Sequence, residues 1–176
     1  MLARRMRYES QVYRALTHPS WRSVVIIRRA TKAELSQIIE LLSDDDIGRK
    51  REVPEGGAKD VYEAAWAEME QEPSNWIVVA MLGPEVLGML QLTMIAGISR
   101  QGMKRAQIES VRVKSACRGR SIGRQLIHFD IATAREHGCG LVQLTTDKRR
   151  DDARSFYESL GFEATHEGMK LSIAKH

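Results

Sequence analysis

The stretch CRGRSIGRQL, residues 117–126, places glycines and positive charge directly in front of a run with helical spacing. Gly119 and Gly123 bracket Arg120, Ser121 and Ile122, with Arg118 and Arg124 just outside them. A helix N-terminus carries amides without intrahelical partners and the positive end of the helix dipole. Glycines let a ligand reach that backbone, so the pattern predicts an anion site of the kind that holds phosphate. Two phosphate loops are excluded by spacing. The pattern G-x-x-x-x-G-K-[ST] is absent, and the three residues between the glycines do not fit G-x-G-x-x-G.

Such a loop acts only if a strand delivers it and a helix follows it. RAQIESVRVK (105–114) reads as the strand and SIGRQLIHFDIATAREHG (121–138) as the helix. Ile122, Leu126, Ile127, Ile131 and Ala134 form its apolar face, Arg124, His128 and Arg135 lie elsewhere, and Gly138 caps it. GLVQLTT (140–146) is the next strand, which makes 105–146 a crossover between parallel strands. Upstream, VVIIRRA (24–30) is strand-like, and TKAELSQIIELLSDDD (31–46) opens on a capping box of Thr31 and Glu34. A charged loop (44–57) leads to a second helix, KDVYEAAWAEMEQE (59–72), ended by Pro73. NWIVVAML (75–82) and VLGMLQLTMI (86–95) form a hairpin around a Gly-Pro turn. Downstream, DDARSFYESLG (151–161) is a helix, and FEATHEGMKLSIAK (162–175) reads as a final hairpin turning near Glu167 and Gly168. This order implies a mixed sheet rather than an alternating array.

With the loop placed between its strand and helix, residues 118–123 resemble motif A of the GCN5-related N-acetyltransferases, [RQ]-x-x-G-x-[GA]. Arg118 fills the first position, Gly123 the last, and Ser121 stands in the middle glycine's place. ARSFYESLGF (153–162) resembles that family's motif B, A-x-x-[FL]-Y-x-x-x-G-F, with Ala153, Phe156, Tyr157, Gly161 and Phe162 all present. The resemblance spans residues 24–175. It implies an α/β fold of mixed α+β character, with a central, twisted, mostly antiparallel sheet of about six to seven strands and helices on both faces. It also implies acetyl transfer from acetyl-CoA, as cosubstrate, to an amine.

Under that resemblance, main-chain groups of Val111 and Val113, with Arg112 between them, pair with the pantetheine arm. Arg118, Gly119, Arg120, Ser121, Ile122, Gly123 and Arg124 take the pyrophosphate, mostly through N–H groups, and the arginines add charge-assisted contacts or steering. Tyr157 is the general-acid candidate beside the coenzyme's sulfur and also contacts the cofactor; a phenol stays protonated at neutral pH. A core tyrosine beside Phe156 is the competing reading. Glu109 is the candidate base, directly or through water, a role that partial burial would suit by raising its pKa; a structural or exposed carboxylate is the alternative. His128 reads as a surface residue, and His166 as a substrate-site candidate. Where many members place Asn, three residues before the motif B alanine, this chain has Arg150. Ser121 is expected to sit in right-handed backbone, where it fits without strain.

Composition bounds the rest. The chain has 176 residues, 43% hydrophobic and 28% charged, as expected of one globular domain. The net charge of +4 resides in residues 1–23, which hold five arginines against one glutamate; the remainder has 22 basic and 22 acidic residues. The reading is therefore a basic N-terminal extension (1–23) before a catalytic domain (24–176), with no nucleic-acid partner. The extension lacks a long apolar run, and no stretch approaches the length of a membrane span, so a cytoplasmic protein without membrane partner is expected. Cys117 and Cys139 are too few for a disulfide framework or a zinc site, and no metal is expected. The acceptor is read as a small-molecule amine. A protein-lysine or N-terminal acetyltransferase and a non-catalytic CoA-binding module are the alternatives, and a homodimer rests on analogy alone.

Overall fold

The computed structural model describes residues 11–13, 24–44, 49, 52 and 59–173. Six strands form one sheet in chain order: β1 (Gln11–Tyr13), β2 (Val25–Arg29), β3 (Asn75–Leu82), β4 (Glu85–Ile95), β5 (Lys104–Val113) and β6 (Cys139–Leu144). Every pair is antiparallel except β5 with β6, the parallel pair that the crossover requires. The helices are α1 (Leu35–Leu42), α2 (Lys59–Gln71), α3 (Ser99–Gly102), α4 (Ile122–Glu136) and α5 (Asp151–Glu158). In α3, a single turn, Arg100 and Gln101 have left-handed dihedrals.

Strand alternation divides the core into two layers. Val25, Ile27, Trp76, Val78, Leu90, Leu92, Ala106 and Ile108 face α4, which contributes Ile122, Leu126, Ile127 and Ala134. Val79, Met81 and Met89 point to the opposite face and meet Ile38 and Leu41 of α1 and Trp66 of α2. Helices thus cover both faces. Gly88 lets α4 lie close to β4: a Cβ there would stand 2.9 Å from Arg112 O and 3.2 Å from side chains of Ile122 and Leu126.

The capping box forms where the spacing placed it. The Glu34 carboxylate accepts from Thr31 N–H at 2.7 Å and Thr31 Oγ1 at 2.9 Å. Arg28 adds a two-pronged pair at 3.1 and 3.2 Å. The Arg28 hydrogen bond is the main cause that holds the Glu34 carboxyl below its ordinary range, against the opposing effect of its burial.

Two expectations about the strands are corrected. The final hairpin is not formed: residues 162–173 contain no strand. Thr165 N–H bonds back to Glu163 O at 3.0 Å, which bends the first arm out of extended backbone, and Phe162 packs on Tyr157 instead of entering a ladder. The sixth strand comes from the other end, because Gln11–Tyr13 of the basic extension pairs with β2. The rest of residues 1–23 lies outside the described residues, as does most of the charged loop after α1.

Candidate active site

β5 pairs with β4 through Val113, but with β6 only as far as Ile108 opposite Leu144. Among the described residues, 109–113 therefore have a strand on one side only. The register says which groups are left over. Lys114 N–H donates to Leu87 O at 2.9 Å, and Arg112 stands opposite Met89. Hydrogen-bonded residues alternate in an antiparallel pair. Arg112 and Lys114 thus turn their main-chain groups to β4, while Val111 and Val113 turn theirs to the open side. Ser110, with φ of 52°, and a register shift between Met89 and Gln91 mark a bulge at this point.

The open-side carbonyls are engaged by arginines. Arg112 Nη1 donates to Val111 O at 3.0 Å, and Arg118 Nε to Val113 O at 3.3 Å. Arg118 Nη2 also donates to Asp44 O at 2.8 Å, and Asp44 Oδ2 accepts from Ser115 N–H at 2.7 Å. Asp44, which the sequence marked only as part of a charged loop, ties the end of α1 to the loop that follows β5.

That loop runs from a 3₁₀ turn at Ser115–Cys117 into α4. Gly119 (φ 78°) and Ser121 (φ 61°) are both left-handed. The expectation of right-handed backbone at Ser121 is overturned, because the chain reverses here between two helical segments. The Ser121 side chain makes no capping hydrogen bond. Replacing Ser121 by glycine should relieve this conformation and stabilise the fold by about 1 kcal/mol. A thermal melt checks it: Tm rises, and a fall in Tm would contradict the left-handed assignment.

The first intrahelical bond of α4 joins Gln125 N–H to Ser121 O at 3.0 Å. The amides of Ile122, Gly123 and Arg124 precede it and stand at the positive end of a 15-residue helix. A Cβ on Gly123 would make only ordinary contacts, 3.5 Å from Phe156 and 3.6 Å from Val113. Packing does not demand a glycine there. The side chain of Ile122 is buried in the core, and those of Arg118, Arg120 and Arg124 are exposed. Arg124 Nη2 reaches Ser159 Oγ at 2.9 Å, linking the start of α4 to the end of α5.

α5 carries Tyr157, which packs against the α4-side core with Phe156 at 5.1 Å and Phe162 at 5.9 Å between ring centroids. Burial pushes its phenol above the ordinary 10, against the smaller opposing effects of Arg112 and Arg150. Tyr157 is therefore a protonated donor throughout the neutral range. Arg150, noted in the sequence only as a departure from a motif, is part of this electrostatic surround.

Glu109 is exposed, so the partial burial that would suit that role is not present. Ala106 and Ile108 turn toward α4, so Gln107 and Glu109 turn to the other face. The tyrosine and the carboxylate thus belong to opposite faces of the sheet, with the open edge of β5 between them. His128 is exposed, and so is His166, whose Nδ1 lies 2.7 Å from Thr165 Oγ1.

Fold and site together define a sheet with one strand edge left open beside a helix N-terminus. The acetyltransferase (GNAT) family profile matches residues 35–162. The chain is 30% identical over 95 residues to the aminoalkylphosphonate N-acetyltransferase of Salmonella typhimurium strain LT2, covering 54% of this chain and 61% of that relative. A transcriptional regulator from Bacillus halodurans C-125 shares 48% identity and a TM-score of 0.82, covering 85% of this chain and 99% of its own. A Trypanosoma brucei acetyltransferase shares 26% identity and a TM-score of 0.69, covering 85% of this chain and 99% of its own. The chain belongs to the acetyltransferase (GNAT) family. No described helix is long and apolar enough to cross a membrane.

Proposed function

We propose that the protein transfers the acetyl group of acetyl-CoA to a primary amine of a small molecule. One observation carries this reading: the open half of β5 runs directly into a helix start with unshielded amides. Main-chain groups of Val111 and Val113 suit an extended amide-bearing arm, and the amides of 122–124 with Arg118 and Arg120 suit a pyrophosphate. Arg112 and Arg118 give up the edge carbonyls when such an arm pairs there.

The chemistry follows from the two faces. Glu109, directly or through water, accepts a proton from the ammonium and restores the nitrogen lone pair. The nitrogen then bonds to the thioester carbonyl carbon as the carbon–sulfur bond breaks. Tyr157 gives its phenolic proton to the departing sulfur and regains one as the acylated nitrogen sheds its surplus proton. The products are an acetamide and a free thiol.

The named activity of the Salmonella relative supports a small amine as acceptor. The Bacillus neighbour, named a transcriptional regulator, supports a second reading, a module that binds CoA without turnover. A panel of amines with acetyl-CoA and thiol detection separates them. Amine-dependent thiol release is expected; tight CoA binding with no release from any amine overturns the enzymatic reading.

A further inference from the structure

The sheet face that carries Glu109 changes character along its length. Toward α1 and α2 it is apolar and covered. Next to Glu109 it presents half-buried neutral polar side chains from four adjacent strands: Asn75, Gln91, Thr93, Gln107 and Gln143. Asn75 stands opposite Thr93, Thr93 opposite Gln107, and Gln107 opposite Gln143, while Glu109 stands opposite Gln91. All share one face by strand parity, because Trp76, Leu90, Leu92, Ala106 and Ile108 point to the other.

These side chains hold one another in place. Asn75 Oδ1 accepts from Gln91 Nε2 at 3.0 Å and Thr93 Oγ1 at 3.1 Å. Gln143 Nε2 donates to Gln107 Oε1 at 2.7 Å. Each amide has four hydrogen-bonding positions, so this pairing orients them without exhausting them. Asn75 also lines a hollow of about 230 Å³ together with Trp66, Glu70, Arg29 and Lys32. From Glu109 on β5 to Asn75 on β3 is two strand spacings across and two residues along, about 12 Å.

We propose that this amide row selects the acceptor: an amine whose nitrogen sits at Glu109 and whose tail, up to about 12 Å long, carries hydroxyl groups. The inference rests on the acetyl-transfer reading and extends it to substrate class. Fixed amides offer donors and acceptors together, which matches hydroxyls. An alkyl tail would cut off the row's remaining donor and acceptor positions from water without replacing it, which is costly for half-buried polar groups.

A matched set of amines tests it with the full-length protein: glucamine, which is a hydroxylated six-carbon amine, n-hexylamine, and 2-aminoethylphosphonate. The kcat/KM for glucamine should exceed that for hexylamine at least tenfold, chiefly through KM. In Gln107→Leu and Gln143→Leu, each shown to fold by its thermal melt, that ratio should fall at least fivefold. Equal kcat/KM for glucamine and hexylamine overturns the proposal, as does a preference for the phosphonate, or an unchanged ratio in both variants. Acetyl-CoA binding with no transfer to glucamine also overturns it. Absence of acetyl-CoA binding overturns instead the reading on which it rests.

Discussion

Tyr157→Phe lowers kcat by about 10²–10³-fold, within the usual range for loss of a general acid, and leaves the dissociation constant of acetyl-CoA within a factor of about two. The phenylalanine ring keeps the contacts with Phe156 and Phe162, so α5 stays packed. What disappears is the proton that neutralises the departing sulfur. Burial holds the phenol above its ordinary 10, so the alkaline limb of kcat that belongs to Tyr157 lies above pH 10 and the rate is flat with respect to this group at neutral pH. Steady-state kinetics with a slow amine, together with calorimetric titration of acetyl-CoA, separate the two effects. A variant with wild-type kcat overturns the assignment; one that loses only affinity shows that the tyrosine packs against the cofactor and does no proton transfer.

The second large effect is on stability. Asp130 lies within α4 among Leu126, Ile127, Thr133 and Ala134, with no solvent exposure, and neither carboxyl oxygen has a hydrogen-bond partner among the described residues. Burial drives its carboxyl well above the ordinary 3.8. The folded protein then keeps a proton that the unfolded chain releases, so stability falls as pH rises above about 3.8, by about 1.4 kcal/mol per pH unit. The fall ends when the folded carboxyl itself ionises. Asp130→Ala removes two buried, unsatisfied oxygens and improves helix propensity. It is expected to stabilise the fold by about 1–3 kcal/mol near neutral pH and to flatten that part of the pH profile. Urea denaturation at a series of pH values measures both. A variant less stable than wild type at neutral pH would show that the carboxyl has a favourable partner.

Asp130 also shows where a sequence stops being legible. The apolar face of α4 was read from Ile122, Leu126, Ile127, Ile131 and Ala134. In the fold Ile131 is half-buried and Asp130 fully buried, because the burial stripe follows the sheet and not the residue types. Features that depend on residue types at fixed spacing were legible: the Thr31–Glu34 cap, the parallel crossover and the loop before α4. Those that depend on backbone dihedrals or long-range pairing were not. Nothing in the letters around Ser121 encodes its positive φ. The alternation of Met169, Leu171 and Ile173 suggests a strand, yet all three are at least 88% exposed and unladdered, since alternation needs a neighbouring edge to become a strand. The same neighbour problem hid β1 and the amide row, whose members lie far apart in the chain.

The incomplete pairing of β5 has a mechanical consequence. β6 is attached to the sheet along one side and over a short distance, like a zip fastened only at its lower end. Widening the gap above Ile108 bends an edge strand and breaks no ladder bond among β2, β3, β4 and β5. The stiff part of the protein and its compliant part therefore meet along a single strand, which lets the gap adjust its width while the residues on the rigid side keep their places.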